Sequence, residues 1–125
     1  MVLMDNKVEQ VSGACGDKAR VLLDALPNSL TGILVTLQNE LHSSLKYHNV
    51  AHTIDVLDQA MLLADFAELP DRETDLLVIA AIYHDAGFLH QKALNEPIGA
   101  ELAAKAMSAT GGYSKGEIKT VKHMI

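Results

Sequence analysis

Leu76-Leu77-Val78-Ile79-Ala80-Ala81-Ile82 decides the fold of this chain, and it runs directly into Tyr83-His84-Asp85. The stretch is apolar on every side of a helical turn, and such a helix is usually the buried centre of a bundle. Ile and Val also suit a strand, but the polar lead-in after Pro70 and the total length favour a helix, for which Asp71 is a suitable cap. The stretch therefore predicts a central buried helix that ends at His84-Asp85.

Further helical segments with short breaks lie on both sides of this central helix. Pro27 and then Asn28 or Ser29 predict one helix start, and Asn49 predicts another. Glu96 and Pro97 begin a later helix, which Gly111-Gly112 ends with a left-handed cap. A final helix starts at the capping box formed by Ser114 and Glu117. The predicted fold class is all-α, a bundle of about six helices.

The length of 125 residues predicts one domain, 1–125, with residues 1–17 as an arm or short helix. The last predicted helix still carries apolar Val121, Met124 and Ile125 where a helix normally shows a glycine, a cap or a basic turn. We therefore expect the C-terminal helix to be incomplete, with further helices and their functional groups following it in a longer protein.

Composition narrows the classes of partner and compartment. The single Cys15 excludes an internal disulfide, and neither a signal peptide nor a bilayer-spanning stretch is visible, so we expect a cytoplasmic protein without a membrane partner. Ten Lys and Arg against sixteen Asp and Glu leave a net charge of −6, which argues against binding to long nucleic acid. A small phosphorylated substrate fits if a metal supplies the positive charge. A homodimer is also possible.

Two histidine clusters carry the candidate chemistry, Tyr47-His48-Asn49-Val50-Ala51-His52 and His84-Asp85. An adjacent His-Asp pair brought against another histidine makes half of an octahedral metal shell, with water and phosphate filling the rest. A helix that begins after Asn49 places His52 in its first turn, where the neutral, metal-binding form of imidazole is favoured. Asp55 would then orient the His52 ring. The pattern indicates metal-assisted hydrolysis.

Simpler interpretations exist for each histidine. His48 and His52 are also compatible with interface histidines, and His84-Asp85 with a hydrogen-bonded pair at a helix end. We expect His42 to be a solvated helix residue. His90 is a loop histidine that could contact substrate, and the sequence leaves the role of His123 open.

The ordered motif Tyr47-His48-Asn49-x-x-His52-x-x-Asp55-Val56, followed one helix later by His84-Asp85, resembles the HD-domain metal-dependent phosphohydrolase superfamily. Its first segment is similar to the signature of cyclic-nucleotide phosphodiesterases. Asn95-Glu96-x-x-x-Ala100 and Val121-x-His123-Met124-Ile125 resemble later helices of a bacterial branch of predicted HD phosphohydrolases. The resemblance covers roughly residues 41–125 and implies an HD-domain-like helical bundle.

This resemblance implies roles for individual residues. His52, His84 and Asp85 would bind a divalent metal, with Asp85 able to bridge to a second ion and to act in catalysis. His48 would donate a proton to the leaving oxygen, and Glu96 would lie near the second metal or its waters.

The sequence differs from the family pattern at three positions. The closing aspartate ligand of the superfamily, which comes from a later helix, has no counterpart here. Phe88 follows Gly87 where many members have Lys, and Asn95 stands where two-metal members often have His.

The leading hypothesis is therefore a metal-dependent phosphohydrolase that acts on a phosphoester of a nucleotide or similar small metabolite. Mn, Fe, Co, Ni, Zn and Mg all remain candidates for the metal. Two alternatives stay open: a non-catalytic HD-type module for nucleotide sensing or protein interaction, and a purely structural helical dimer.

Overall fold

The computed structural model describes residues 17–40, 50–89 and 95–125. The described residues are mostly helical and contain no strand, which confirms the all-α prediction. The helices are α1 (Asp17–Ala25), α2 (Asn28–Thr31), α3 (Ile33–Glu40), α4 (Val50–Phe66), α5 (Asp71–Tyr83), α6 (Asn95–Thr110) and α7 (Lys115–Met124), with a 3₁₀ turn at Ala86–Leu89. Only Gly32 separates α2 from α3, so these two form one interrupted helix and the predicted number of about six agrees with the described part of the chain.

Helix α5 lies at the centre of the bundle, as its apolar stretch predicts. It packs against α3, α4, α6 and α7. The helix buries nearly every residue of its second half: Leu76, Val78, Ile79, Ala80, Ala81, Ile82 and Tyr83. Each large aliphatic side chain buried in this way stabilises the fold by about 1.5–3 kcal/mol. A central helix packed on so many sides carries the residues after it, His84 and Asp85, into the interior.

The capping predictions agree with the structure at the last helix. Ser114 accepts a hydrogen bond from the backbone N–H of Glu117 at 3.0 Å, and the Ser114 N–H donates to the Glu117 carboxylate at 2.9 Å. The predicted capping box is thus confirmed. Gly111 and Gly112 have φ values of +81° and +83°, which confirms the predicted left-handed end of α6.

Two other predicted caps are wrong by one residue. Pro27 and Pro70 occupy the N-cap positions of α2 and α5, and neither helix has a side-chain cap. Asn28 and Asp71 are instead the first helical residues. A proline fits the position because its fixed φ matches the extended backbone found there and its missing N–H has no helical partner to lose. Asp71 still favours the positive end of the α5 dipole.

Helix α4 spans 17 residues and leaves part of its apolar surface in solvent. Leu57 is fully buried, whereas Leu62 is 60% and Phe66 91% exposed. In the parts of the chain that the structure describes, no helix has the length and apolar character needed to cross a membrane.

Candidate functional site

The two histidine-bearing segments meet because of the way α4 and α5 are joined. The short connection 67–70 and the packing of α4 on α5 bring the first turn of α4 to the last turn of α5. His52 lies in that first turn, and His84 is the residue that follows Tyr83 at the end of α5. Asp85 comes next, immediately before the 3₁₀ turn at Ala86–Leu89.

His52, His84 and Asp85 form a compact cluster, in which one potential ligand atom from each residue lies within 4.8 Å of the others. The Asp85 Oδ2 atom is 3.1 Å from His84 Nε2 and 3.6 Å from His52 Nε2. The two imidazole rings meet edge to face, with centroids 5.3 Å apart at 61°. Asp85 is buried, His84 is mostly buried and the His52 side chain is 38% exposed, so the cluster opens to solvent on the His52 side.

The protonation of His84 follows from its backbone contact. Its Nδ1 lies 2.6 Å from the carbonyl oxygen of Ala81. A carbonyl can only accept, so Nδ1 must carry the proton and, in a neutral ring, Nε2 must carry the lone pair. This Nε2 is buried and has no hydrogen-bond partner among the described residues, although it faces the carboxylate of Asp85. Two lone pairs directed at each other repel, so this arrangement favours a proton or a cation between them.

Burial and the neighbouring oxygen atoms shift the pKa of His84 in opposite directions. Burial on its own lowers the pKa of this imidazole, because it disfavours the charged form. In the protonated ring, however, Nε2–H can donate to Asp85, and this hydrogen bond, the bond to the Ala81 carbonyl and the Coulombic attraction to Asp85 together outweigh burial and raise the pKa above its ordinary value. In the absence of another cation, a proton is therefore drawn to this position.

A cavity of about 620 Å³ adjoins the cluster, and both His52 and His84 line it. Most of the remaining wall is apolar and comes from α4, α5 and the end of α7, including Val56, Leu63, Leu77, Met124 and Ile125. Gln59 and Asp55 add polar groups. The size falls within the usual range for small-molecule sites, which are typically apolar with a few well-placed polar groups.

The other predicted site residues have different surroundings. Asp55 is exposed and lines the cavity together with His52, one helical turn away on α4. Glu96 is exposed in the first turn of α6 and is not part of the cluster. His123 is exposed and lines a separate cavity with Lys115, Lys119 and Lys122, while the next residues, Met124 and Ile125, reach the cavity beside the cluster. His48, Asn49 and His90 lie outside the described residues.

The sequence also contained a signal for the cavity that histidine spacing alone does not reveal. On α4, Val56, Gln59 and Leu63 follow His52 at successive helical turns, and they line the cavity together. On α5, Leu77, Ala80 and Ala81 precede His84 in the same way. Extending each histidine along its own helix face therefore identifies both walls.

Comparison with known proteins yields partial matches to phosphodiesterases. The chain is 39% identical over 56 residues to the 3′,5′-cyclic-AMP phosphodiesterase 4C of Mus musculus, and equally to that of Rattus norvegicus. The match covers 45% of this chain but only 8% of the mouse protein and 10% of the rat protein. No family model matches the chain. No solved structure matches it either.

Proposed function

We propose that this protein is a metal-dependent phosphohydrolase that acts on a phosphoester of a nucleotide or similar small metabolite. The observation that carries the proposal concerns His84 Nε2: this buried atom has no hydrogen-bond partner among the described residues and lies 3.1 Å from a carboxylate oxygen of buried Asp85. A divalent cation would give Nε2 a partner, with Asp85 and His52 as further ligands. The partial similarity to a cyclic-AMP phosphodiesterase supports the same reaction class.

The donor set indicates the kind of metal. Two imidazole nitrogens and one carboxylate oxygen suit Mn²⁺, Fe²⁺, Co²⁺, Ni²⁺ or Zn²⁺ better than an all-oxygen site would. Such an ion would lower the pKa of a bound water and neutralise phosphoryl oxygens as charge develops. The Nδ1 hydrogen bond from His84 to Ala81 would hold the ring in the tautomer that presents Nε2, as second contacts of metal-binding histidines commonly do.

The remaining roles belong to the proton donor and to the substrate pocket. We propose that His48, four residues before His52 in the sequence, protonates the leaving oxygen, as the resemblance to phosphodiesterases implies. The apolar wall formed by Val56, Leu63 and Leu77 would receive the organic part of the substrate while its phosphoryl group lies at the cluster.

The proposal is tested by measuring bound metal and phosphodiester hydrolysis on the same preparations. We expect the wild-type protein to hydrolyse bis(p-nitrophenyl) phosphate or a cyclic nucleotide when loaded with Mn²⁺ or another of these ions, and His52→Ala to lose both metal and activity. His123→Ala is the matched control, because His123 is exposed and lies outside the cluster. Bound metal without hydrolysis of any phosphoester would refute the enzymatic function.

A separate variant tests the assigned proton donor. His48→Ala should retain the metal and slow turnover by roughly 100-fold, the usual contribution of general acid catalysis. Loss of metal in this variant would show that His48 is a ligand instead.

A second candidate is a non-catalytic interaction module that pairs with a further copy of this chain. The exposed side chains of Leu62 and Phe66, one turn apart on α4, favour it, because adjacent exposed apolar groups often mark protein contacts. It predicts a dimer in analytical ultracentrifugation that Phe66→Ser dissociates, together with no hydrolysis. A monomeric wild-type protein would exclude this candidate.

A further inference from the structure

Gly99 of α6 touches the backbone at the end of α5. A Cβ atom at this position would lie 2.6 Å from the carbonyl oxygen of Tyr83, 3.6 Å from that of His84 and 3.5 Å from the N atom of Gly87. A separation below 3.0 Å is essentially never seen for a real Cβ. The absence of a side chain therefore lets α6 lie directly against the segment that carries His84 and Asp85.

The side chain of Tyr83 anchors the same segment to a second helix. Its hydroxyl donates a buried hydrogen bond of 2.9 Å to the carbonyl of Leu30, at the end of α2. The tyrosine is buried, and burial raises its pKa to about 12, so the hydroxyl stays protonated and able to donate at neutral pH. The end of α5 thus contacts both α2, through the Tyr83 hydroxyl, and α6, through its backbone.

We propose that Gly99 is a positioning residue that sets the placement of His84 and Asp85 for metal binding, with the side chain of Tyr83 as a second anchor of the same segment. This inference rests on the proposed function, since it assigns the cluster as the metal site. The chain segment between the two contacts is short: Tyr83 carries both of them and directly precedes His84. A shift of the Tyr83 carbonyl therefore moves the ligands with it.

The magnitude of the required shift supports this role. To bring a Cβ at Gly99 from 2.6 Å to an ordinary contact of 3.4 Å, the Tyr83 carbonyl or α6 must move by about 0.8 Å, and backbone cannot swing aside as the tip of a side chain can. Metal sites tolerate ligand displacements of roughly 0.2 Å. Because the bond to Leu30 restrains Tyr83, the displacement cannot be absorbed freely on that side.

Gly99→Ala is an informative variant because alanine is the better helix former, so the intrinsic stability of α6 should not fall. Gly116→Ala is its matched control. Gly116 also lies in a helix, α7, but a methyl group added there would have the Ser114 Oγ as its nearest neighbour, at 3.8 Å, which is an ordinary contact. Any effect common to both variants would come from helix propensity and not from the contact at Tyr83.

The test is a titration of the metal-free proteins with Co²⁺, followed by visible absorption, which reports the number and geometry of ligands. We expect the wild type and Gly116→Ala to give the same spectrum and affinity. Gly99→Ala should bind Co²⁺ at least tenfold more weakly and show a changed spectrum, with the same helical circular dichroism. Equal affinity and spectrum in Gly99→Ala would overturn the proposal.

Two further measurements separate the possible failures. If Gly99→Ala does not fold, Tyr83→Phe takes its place: weaker Co²⁺ binding supports the positioning role, and unchanged binding refutes it. If the wild type binds no Co²⁺ or other divalent ion, the metal-dependent function fails. The ring ¹⁵N NMR signals of His84 then decide the positioning role alone. A change in the tautomer of His84 in Gly99→Ala supports that role, and unchanged signals overturn it.

Discussion

The two ends of helix α5 use polar side chains in opposite ways. At its start, Arg72 donates from Nε and Nη2 to the Glu117 carboxylate at 2.6 and 2.9 Å, and from Nη2 to the Gly112 carbonyl at 2.6 Å, while its guanidinium lies 4.6 Å from the centre of the Tyr113 ring. At its end, His84 Nε2 is buried beside Asp85 and has no hydrogen-bond partner among the described residues.

The contrast separates a structural contact from the site that we propose binds a metal. Arg72 ties α5 to α7 with groups that satisfy one another in solvent, and exposed pairs of this kind contribute little free energy each. A buried polar atom left without a partner costs about 1–3 kcal/mol. A fold that keeps such an atom next to a buried carboxylate and an open cavity is better explained by a ligand than by stability.

The largest expected effect comes from removing the charge at the buried end. Asp85→Asn keeps the size of the side chain but replaces a carboxylate oxygen with an amide, which is a much poorer ligand for a divalent cation. We expect metal affinity to fall by more than about 100-fold, beyond the usual effect of losing a contact to a ligand. Isothermal titration with Mn²⁺ or Zn²⁺ measures this. If Asp85→Asn kept the metal affinity of the wild type, the His84–Asp85 end of α5 would not be a metal site, and the contrast with the Arg72 end would be lost.

A smaller effect, on stability, is expected at the Arg72 end of α5 when the N-cap of the neighbouring helix α7 is removed. Ser114→Ala removes the hydroxyl that accepts the Glu117 N–H, and it should lower the free energy of unfolding by about 1 kcal/mol. Urea denaturation measures the change. Metal affinity should be unaffected, because Ser114 is not among the residues that form the cluster or line its cavity. A fall in metal affinity that exceeded the loss of stability would show that the two ends are coupled.

The smallest effect is a dependence of stability on acid at the same end. The hydrogen bond from Arg72 lowers the pKa of Glu117 from 4.5 to about 2, with the Ser114 backbone N–H adding to the shift. Because the folded pKa is depressed, the stabilisation is present above about pH 4.5 and is lost as the pH falls through about 2. The contribution is small, since the pair is at the surface.

Thermal denaturation of the wild type and Glu117→Gln across this pH range measures the acid effect. The stability difference between the two proteins should be small at neutral pH and vanish near pH 2. A difference that persisted at pH 2 would show that Glu117 acts through its shape and not through its charge.

Several features follow from residues close together in the sequence and could be predicted from it. The buried course of α5, the capping box at Ser114 and the left-handed glycines after α6 all depend on local pattern and backbone preference. The set of chemical groups at the candidate site, two histidines and an aspartate, also comes from motif spacing.

Other features of the structure could not be predicted from local sequence pattern. Pro27 and Pro70 take cap positions for which a neighbouring polar residue was the better candidate by propensity. Phe66 is exposed although its spacing fits the apolar pattern of α4. His123 lines a cavity that is separate from the one beside the cluster. The packing of α7 instead places Met124 and Ile125 in the wall of the cavity beside the cluster.

The sequence by itself determined the helical class and the central helix, and it supplied the residues that we propose bind a metal or transfer a proton. These depend on side-chain chemistry and on periodicity within one helix, which distant parts of the chain do not alter. Only the tertiary structure decided that His84 places a buried Nε2 3.1 Å from Asp85, that an apolar cavity adjoins this pair, and that Gly99 lies against the carbonyl of Tyr83. These depend on distances between helices far apart in sequence, and such distances are set by the packing of the whole bundle.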